Sequence, residues 1–420
     1  MKRNYVLVYL MFLILFSAVN VFADGTEKEI SLSDLDDKSI NLNNLYPMHM
    51  RGKSYDEKAR DTIITGYAVA SYKYNDNGVG HHGVGNEMHF GQDPANTTDF
   101  RFDVLEIGFT KRYSDYAWVA AALEVGSHNG DSGLTTEVEL DAGEIHLVAP
   151  VGNGIDFTFG KFNSPVSFEQ EDAPLLLQTT HSLAYQWGSP SKMVGLMVTY
   201  PILENLEVRG AVFNGWNRNA GDSDNNKAKS LLLQVGVAPN PWLDTKFSYL
   251  WGAELDNNEA DNRNVFDVVA TMTPWRNWIF GLEGSYGFDE NQSALNAGDD
   301  AQWFTGQVTI HRDWTRWSGT TLRYSFLDDQ DGMPDIDEPR KRTWHEFTIA
   351  QTFHISPEFL GHLGYGVIPK TQHLISGVDL RLEVRHDWIN EADGDRFFSD
   401  GDGNRVSTRN SLFAEIVASF

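Results

Sequence analysis

Cysteine is absent from all 420 residues, so neither a disulfide nor a thiolate metal site is available to this protein. Proline is sparse, 14 residues against 37 glycines, while aromatics reach 12%; that balance excludes a disordered chain. Basic residues are outnumbered 33 to 59 by acidic ones, a formal net charge of −26, so there is no basic face for nucleic acid. Long apolar runs are missing too. Beyond Ala23 no stretch reaches the roughly eighteen apolar residues that a membrane-spanning helix needs.

What is present begins with a leader. Lys2 and Arg3 precede an apolar run from Val6 to Val19, and Val21-Phe22-Ala23 places small residues at a cleavage site. Residues 1–23 therefore read as a secretory signal peptide cut before Asp24. Its removal takes away two positive charges and leaves the remainder more acidic still. Residues 24–60, with Asp34-Leu35-Asp36-Asp37, read as a polar N-terminal segment, either flexible or tucked into the lumen. The folded domain is expected over 61–420.

Within that domain apolar residues recur with a period of two, and helical periodicity is hard to find. In Val378–Trp388 the even positions are apolar apart from His386, and the odd positions Asp379, Arg381, Glu383, Arg385 and Asp387 are all charged. A strand with one purely apolar and one purely charged face fits between lipid and water. Strands are expected at 63–74, 99–110, 116–127, 136–149, 154–161, 193–200, 206–216, 228–238, 242–254, 263–273, 278–288, 301–311, 315–326, 343–355, 376–389 and 409–420. The apolar parity flips near Ala142, which predicts a bulge.

The connections alternate long and short. A meander with all long loops on one side and tight turns on the other marks an outer-membrane barrel, because in lipid only a closed sheet satisfies every backbone group. The expected fold is an all-β, antiparallel up-and-down transmembrane β-barrel of sixteen strands. The long stretch 356–375 breaks the rhythm and leaves room for eighteen. Trp242, Trp275, Trp278, Trp303, Trp314, Trp317 and Trp344 gather near strand ends, where amphipathic rings meet the membrane interfaces. Leu412, Ala414, Ile416, Ala418 and Phe420 share one face of the last strand, which must pair with the first to leave no edge. Phe420 is then the expected signal for the outer-membrane assembly machinery.

Chemistry-bearing motifs are few. There is no G-x-S-x-G, H-E-x-x-H or P-loop, so no enzyme, catalytic residue or cofactor is expected. His81, His82 and His89 read as surface histidines. The acidic stretches around Asp328–Glu338 and Asp393–Asn404 lack a complete calcium-loop pattern and read as solvated loops facing lipopolysaccharide. No metal is expected.

The functional signal lies in the lumen. Arg209, Arg323, Arg381, Glu383, Arg385 and Asp387 fall on the non-lipid face, a mixed-charge wall suited to a water-filled pore. The same charges could instead pair and stiffen the barrel. The longest loop, 162–192, holds Glu169, Glu171 and Asp172 before an apolar Leu175-Leu176-Leu177 that needs something to pack against. Folded inward, it would set those carboxylates opposite the wall arginines across an aqueous gap. The reading is a porin passing small hydrophilic solutes, with a cation preference. A non-conducting surface adhesin or receptor built on the acidic loops is the second reading.

Three stretches carry a resemblance. Gly160-Lys161-Phe162-Asn163-Ser164-Pro165 with Glu169, then Phe213-Asn214-Gly215-Trp216-Asn217, then Arg381-Leu382-Glu383-Val384-Arg385-His386-Asp387 resemble the OmpL-like outer-membrane β-barrel porin family in order and spacing. The resemblance covers residues 60–420 and implies a passive channel in the bacterial outer membrane, with homotrimers common among sixteen-stranded porins.

Overall fold

The structure, a computed structural model, describes residues 62–79, 97–130, 133–217, 224–255, 257–332, 340–355, 377–391 and 397–420. The leader 1–23, the segment 24–60 and the histidines at 81, 82 and 89 lie outside the described residues, as do 333–339, 356–376 and 392–396 of the long connections.

Sixteen strands close into one antiparallel barrel. They are β1 (Thr62–Asn75), β3 (Thr97–Ser114), β4 (Ala117–Gly130), β5 (Gly133–Ala149), β6 (Ile155–Asn163), β7 (Lys192–Leu203), β8 (Leu206–Phe213) and β9 (Ser230–Asn240), followed by β10 (Leu243–Gly252), β11 (Arg263–Met272), β12 (Trp278–Asp289), β13 (Ala301–Thr315), β14 (Ser318–Asp329), β15 (Arg342–His354), β16 (Gly377–Glu391) and β19 (Thr408–Ser419). Each pairs with its sequence neighbour in the barrel, and β19 pairs with both β16 and β1. β15 pairs directly with β16, so the closed ring among the described residues has sixteen strands, not eighteen, and the stretch 356–375 lies outside the described residues. Closure is completed at the last residue, where Phe420 and Gly66 exchange backbone bonds of 2.9 and 3.0 Å.

Alternation sorts side chains by face. Phe100, Val138 and Leu233 are 88%, 71% and 62% exposed on the isolated barrel, a lipid-facing set, while Arg323, Glu383 and Arg385 on the inner face are buried. The predicted bulge is present: Ala122 pairs with Ala142 and Leu123 with Leu140, leaving Asp141 as the extra residue. A second bulge leaves Asp103 between the partners of Val69 and Ala70. Each resets the face on which the following side chains fall.

Three features escaped the periodicity. Short strands β2 (Gly78–Val79), β17 (Phe398–Ser399) and β18 (Arg405–Val406) form a small separate sheet that brings Phe397 and Phe398 onto Trp344. The loop after β6 carries a 3-10 turn (Ala173–Leu175) and a one-and-a-half-turn helix α1 (Leu183–Gly188), capped where the Ser182 hydroxyl accepts from the Tyr185 amide at 3.0 Å. The expected strand 206–216 ends early, since Asn214 to Trp216 lie beyond β8.

Candidate functional site

Residues 164–191, between β6 and β7, run inside the barrel. Their first contacts are with the wall of β9, β10 and β12. The Pro165 carbonyl accepts from Gln234 at 3.0 Å, and the Glu283 carboxylate accepts from the Ser167 hydroxyl and the Phe168 amide, both at 3.0 Å. The Phe168 ring fills the space over Gly281, where any Cβ would lie 2.3 Å from it. The chain then crosses. Ala173 packs with Tyr67, Val69, Val104 and Val417 of β1, β3 and β19, on the far side of the ring. It returns to β14 and β16, where Thr321 donates to the Leu177 carbonyl at 2.8 Å, and α1 lies against β12–β14, with the Leu183 amide donating to Ser325 at 3.0 Å. Leu183 joins the apolar cluster of Phe162, Val166 and Trp187, and Leu176 is buried.

The charged residues anchor this crossbar. Arg323, fully buried, donates to Glu169 at 2.6 Å, to the Thr180 carbonyl at 2.5 Å and to the Thr180 hydroxyl at 3.0 Å, and it is backed by Glu346 at 3.0 Å. Glu383 accepts from the Thr179 and Thr180 amides at 2.7 and 3.2 Å and from the Thr180 hydroxyl at 2.5 Å. Arg385 donates to the His181 carbonyl at 2.7 Å and is held by Asp387 at 2.8 Å, which also accepts from Trp344. Arg381 pairs with Glu415 at 3.1 Å, and Arg209 pairs with Glu207 at 2.6 Å. The expectation of carboxylates facing wall arginines across water is therefore corrected for Glu169: it touches Arg323 directly. A buried carboxylate and a guanidinium gain more from a short, hydrogen-bonded contact than from separation.

Glu171 and Asp172 are different. At the crossing point Glu171 contacts Lys192 at 2.6 Å, and Lys192 also binds Asp141 at 2.7 Å. Asp172, Asp141 and Glu106 bring carboxylate oxygens within 4.8 Å of one another. One ammonium cannot neutralise all of these. Burial, with Asp141 and Asp172 nearby and Lys192 opposing them, pushes the Glu171 carboxyl up to about 8. Burial, with Asp141 and Glu144 and against Lys192, raises Asp172 to about 6. The His181 imidazole is lowered, chiefly by burial, with Arg323 and Arg385 adding to the effect and Glu169 opposing it.

The first two resembling stretches hold the ends of the same loop. Gly160 has φ +128° and approaches β5 so closely that a Cβ would lie 1.9 Å from the Gly143 carbonyl oxygen. Phe162 is buried, Asn163 accepts from Lys192 at 2.6 Å, and the Ser164 amide donates to the Ser191 carbonyl at 2.8 Å. After β8, Gly215 at φ +142° and Asn217 at φ +52° turn the chain so that the Asn217 side chain accepts from the Ser191 and Lys192 amides at 2.6 and 3.3 Å. The Asn214 amide donates to Val194, and the Trp216 amide donates to Glu254 at 2.7 Å. Glu106 and Asp141 fall on the inward face already in the sequence, whereas nothing in the pattern marked Lys192, which completes the site.

Several solved structures share this architecture. The outer membrane channel DcaP of Acinetobacter baumannii is similar at TM-score 0.56 and 13% identity, covering 87% of this chain and 99% of that one. Salmonella typhi OmpF, in complex with daunomycin, matches at 0.55 and 12% over 88% and 100%. The trimer form of Vibrio cholerae OmpT matches at 0.52 and 8% over 86% and 99%. No curated protein matches the sequence. The family described as "Putative beta-barrel porin-2, OmpL-like" matches residues 62–420, the whole barrel together with the three stretches that enclose its inner loop. The chain belongs to that family, and it is a porin of the bacterial outer membrane.

Proposed function

We propose that this porin passes small hydrophilic solutes by diffusion and that the 164–191 loop narrows its bore. The observation that carries this reading is the loop's path, anchored on β9–β14 and reaching β1, β3 and β19 across the ring. Where it crosses, Glu171, Asp172, Asp141 and Glu106 outnumber Lys192, so the narrowest region favours cations. Arg323, Glu383 and Arg385 act in this reading as the mounting of the loop, and Glu171 and Asp172 as its selective edge. Homotrimeric assembly belongs to the same reading, supported by the likeness to a barrel known in a trimer form. So does Phe420 as the residue read by the assembly machinery. The test is planar-bilayer conductance under a KCl gradient. A reversal potential of the sign set by K⁺ is expected; one favouring Cl⁻ removes the cation preference, and an absence of conductance removes diffusion as the function.

A further inference from the structure

The lipid-facing side of the barrel carries one feature that channel function does not use. Two neighbouring short turns read Trp275-Arg276-Asn277-Trp278 and Trp314-Thr315-Arg316-Trp317, placing three arginines, with Arg312, and four tryptophans on one arc of an otherwise acidic protein. The turns flank β12 and β13, where Trp278 pairs across with Arg312 and the Asp313 amide donates to the Asn277 carbonyl at 3.0 Å. They are on the short-turn side, which in an outer-membrane barrel is the periplasmic leaflet.

Arg312 is the centre of this arc. Its guanidinium carbon lies 4.0 Å from the Trp314 ring centre and 4.9 Å from that of Trp278. Trp278 stacks on Phe280 at 5.7 Å, and Trp275 meets Trp278 edge-on at 6.2 Å. Cation–π contacts hold the guanidinium by its charge without using its N–H donors, and that fork of donors matches a phosphate. No carboxylate among the described residues forms an ion pair with Arg312. The adjacent Asp313 points to the other face of the strand, where it accepts from His311 at 3.1 Å. Beside Arg312 the outer surface stays polar for one more step, since Trp314 donates to Thr320 at 2.8 Å and Thr320 to Gln351 at 2.7 Å. Toward the membrane centre it becomes apolar, with Leu282, Val308 and Leu322 exposed.

We propose that Arg312, held by cation–π contacts with Trp278 and Trp314, binds the phosphate of a phospholipid headgroup in the periplasmic leaflet, with the acyl chains lying along Phe280, Leu282 and Leu322. A lipid, and not a soluble phosphate, is the occupant because Arg312 lies on the strand face shared with the exposed, lipid-facing Val308. An unpaired cation at that boundary needs an anion that is itself anchored there.

Native mass spectrometry of the full chain in detergent, titrated with phosphatidylglycerol, tests this. One lipid per chain is expected to bind, with affinity falling about tenfold in Arg312→Gln and unchanged in Arg276→Gln. Arg312→Lys, which keeps the charge but not the fork, should fall between them and covers the case in which the glutamine variant does not fold. Diacylglycerol of the same chains, which lacks phosphate, should bind wild type no better than phosphatidylglycerol binds the glutamine variant. Equal binding of phosphatidylglycerol to wild type and Arg312→Gln would overturn the proposal. So would diacylglycerol matching phosphatidylglycerol, or glycerol 3-phosphate competing as well as the intact lipid. Loss of lipid that tracks loss of an oligomer in Arg312→Gln would assign the fork to a subunit contact instead.

Discussion

Replacing Arg323 with methionine removes the central clamp of the inner loop while leaving a side chain of similar length. Three contacts to the loop vanish, those to Glu169, the Thr180 carbonyl and the Thr180 hydroxyl, at 2.6, 2.5 and 3.0 Å. Glu169 and Glu346 are left buried without their cation. Breaking one side of a buried ion pair typically costs about 3–5 kcal/mol. The barrel itself rests on sixteen paired strands, so this cost falls on the docking of residues 164–191. Converted at 1.4 kcal/mol per tenfold, it shifts the docked-to-released ratio of the loop by roughly two to three and a half orders of magnitude. Two assays read it. Single-channel recordings should show larger, noisier conductance, and protease added to folded protein should cut within 164–191 in the variant alone. The heat-dependent shift in gel mobility checks that the barrel has formed. Arg323→Lys should be intermediate, because an ammonium cannot reach Glu169, Glu346 and Thr180 in one plane. If Arg323→Met folds with wild-type conductance and the loop still resists protease, the clamp argument is wrong. Glu383→Gln offers an independent check through Thr179 and Thr180.

Further expectations rest on other parts of the same site. Selectivity for K⁺ over Cl⁻, read from reversal potentials, should be weak at pH 5 and strengthen as pH rises through about 6 and then about 8, as Asp172 and Glu171 ionise in turn. Since both carboxyls are raised, the stability they add to the docked loop is present below the ordinary carboxylate range and lost as pH climbs through those values; protease sensitivity of the loop should increase in the same direction. Gly160→Ala forces a Cβ into the Gly143 carbonyl and an unfavourable φ, and should lower barrel stability by about 1–3 kcal/mol in urea titrations of the folded protein. Gly281→Val evicts Phe168 from its socket, at a cost of about 1–3 kcal/mol borne by the loop, and should reproduce part of the Arg323→Met phenotype in bilayer recordings.

Two readings of the inner charges were open in the sequence, a pore lining and a stiffening network, and the structure shows three kinds of contact among them. Arg381 with Glu415 and Arg209 with Glu207 are wall pairs. Arg323, Glu383 and Arg385 grip the loop, and Glu171 and Asp172 remain where the loop crosses. Nothing in a one-dimensional pattern distinguishes these cases, since all are charged residues of the same parity or of the same loop. The three stretches behind the family resemblance looked like separate signatures, well apart along the chain. In three dimensions they hold the start, the end and the middle of one loop.

The sequence by itself determined the barrel. Strict alternation in Val378–Trp388 and its counterparts, tight turns against long loops, and the closing Leu412–Phe420 row all follow from one local rule, that successive side chains of a strand face lipid and water in turn. Even the bulge at Asp141 was legible, because a single extra residue inverts that rule for everything after it. Only the tertiary structure decided how the lumen is furnished. The partners of Glu169 and Thr180 lie 154 and 203 residues away, at Arg323 and Glu383. Which charges end up in contact depends on where a loop of no regular period comes to rest inside the closed ring, and that is set by long-range packing, not by periodicity.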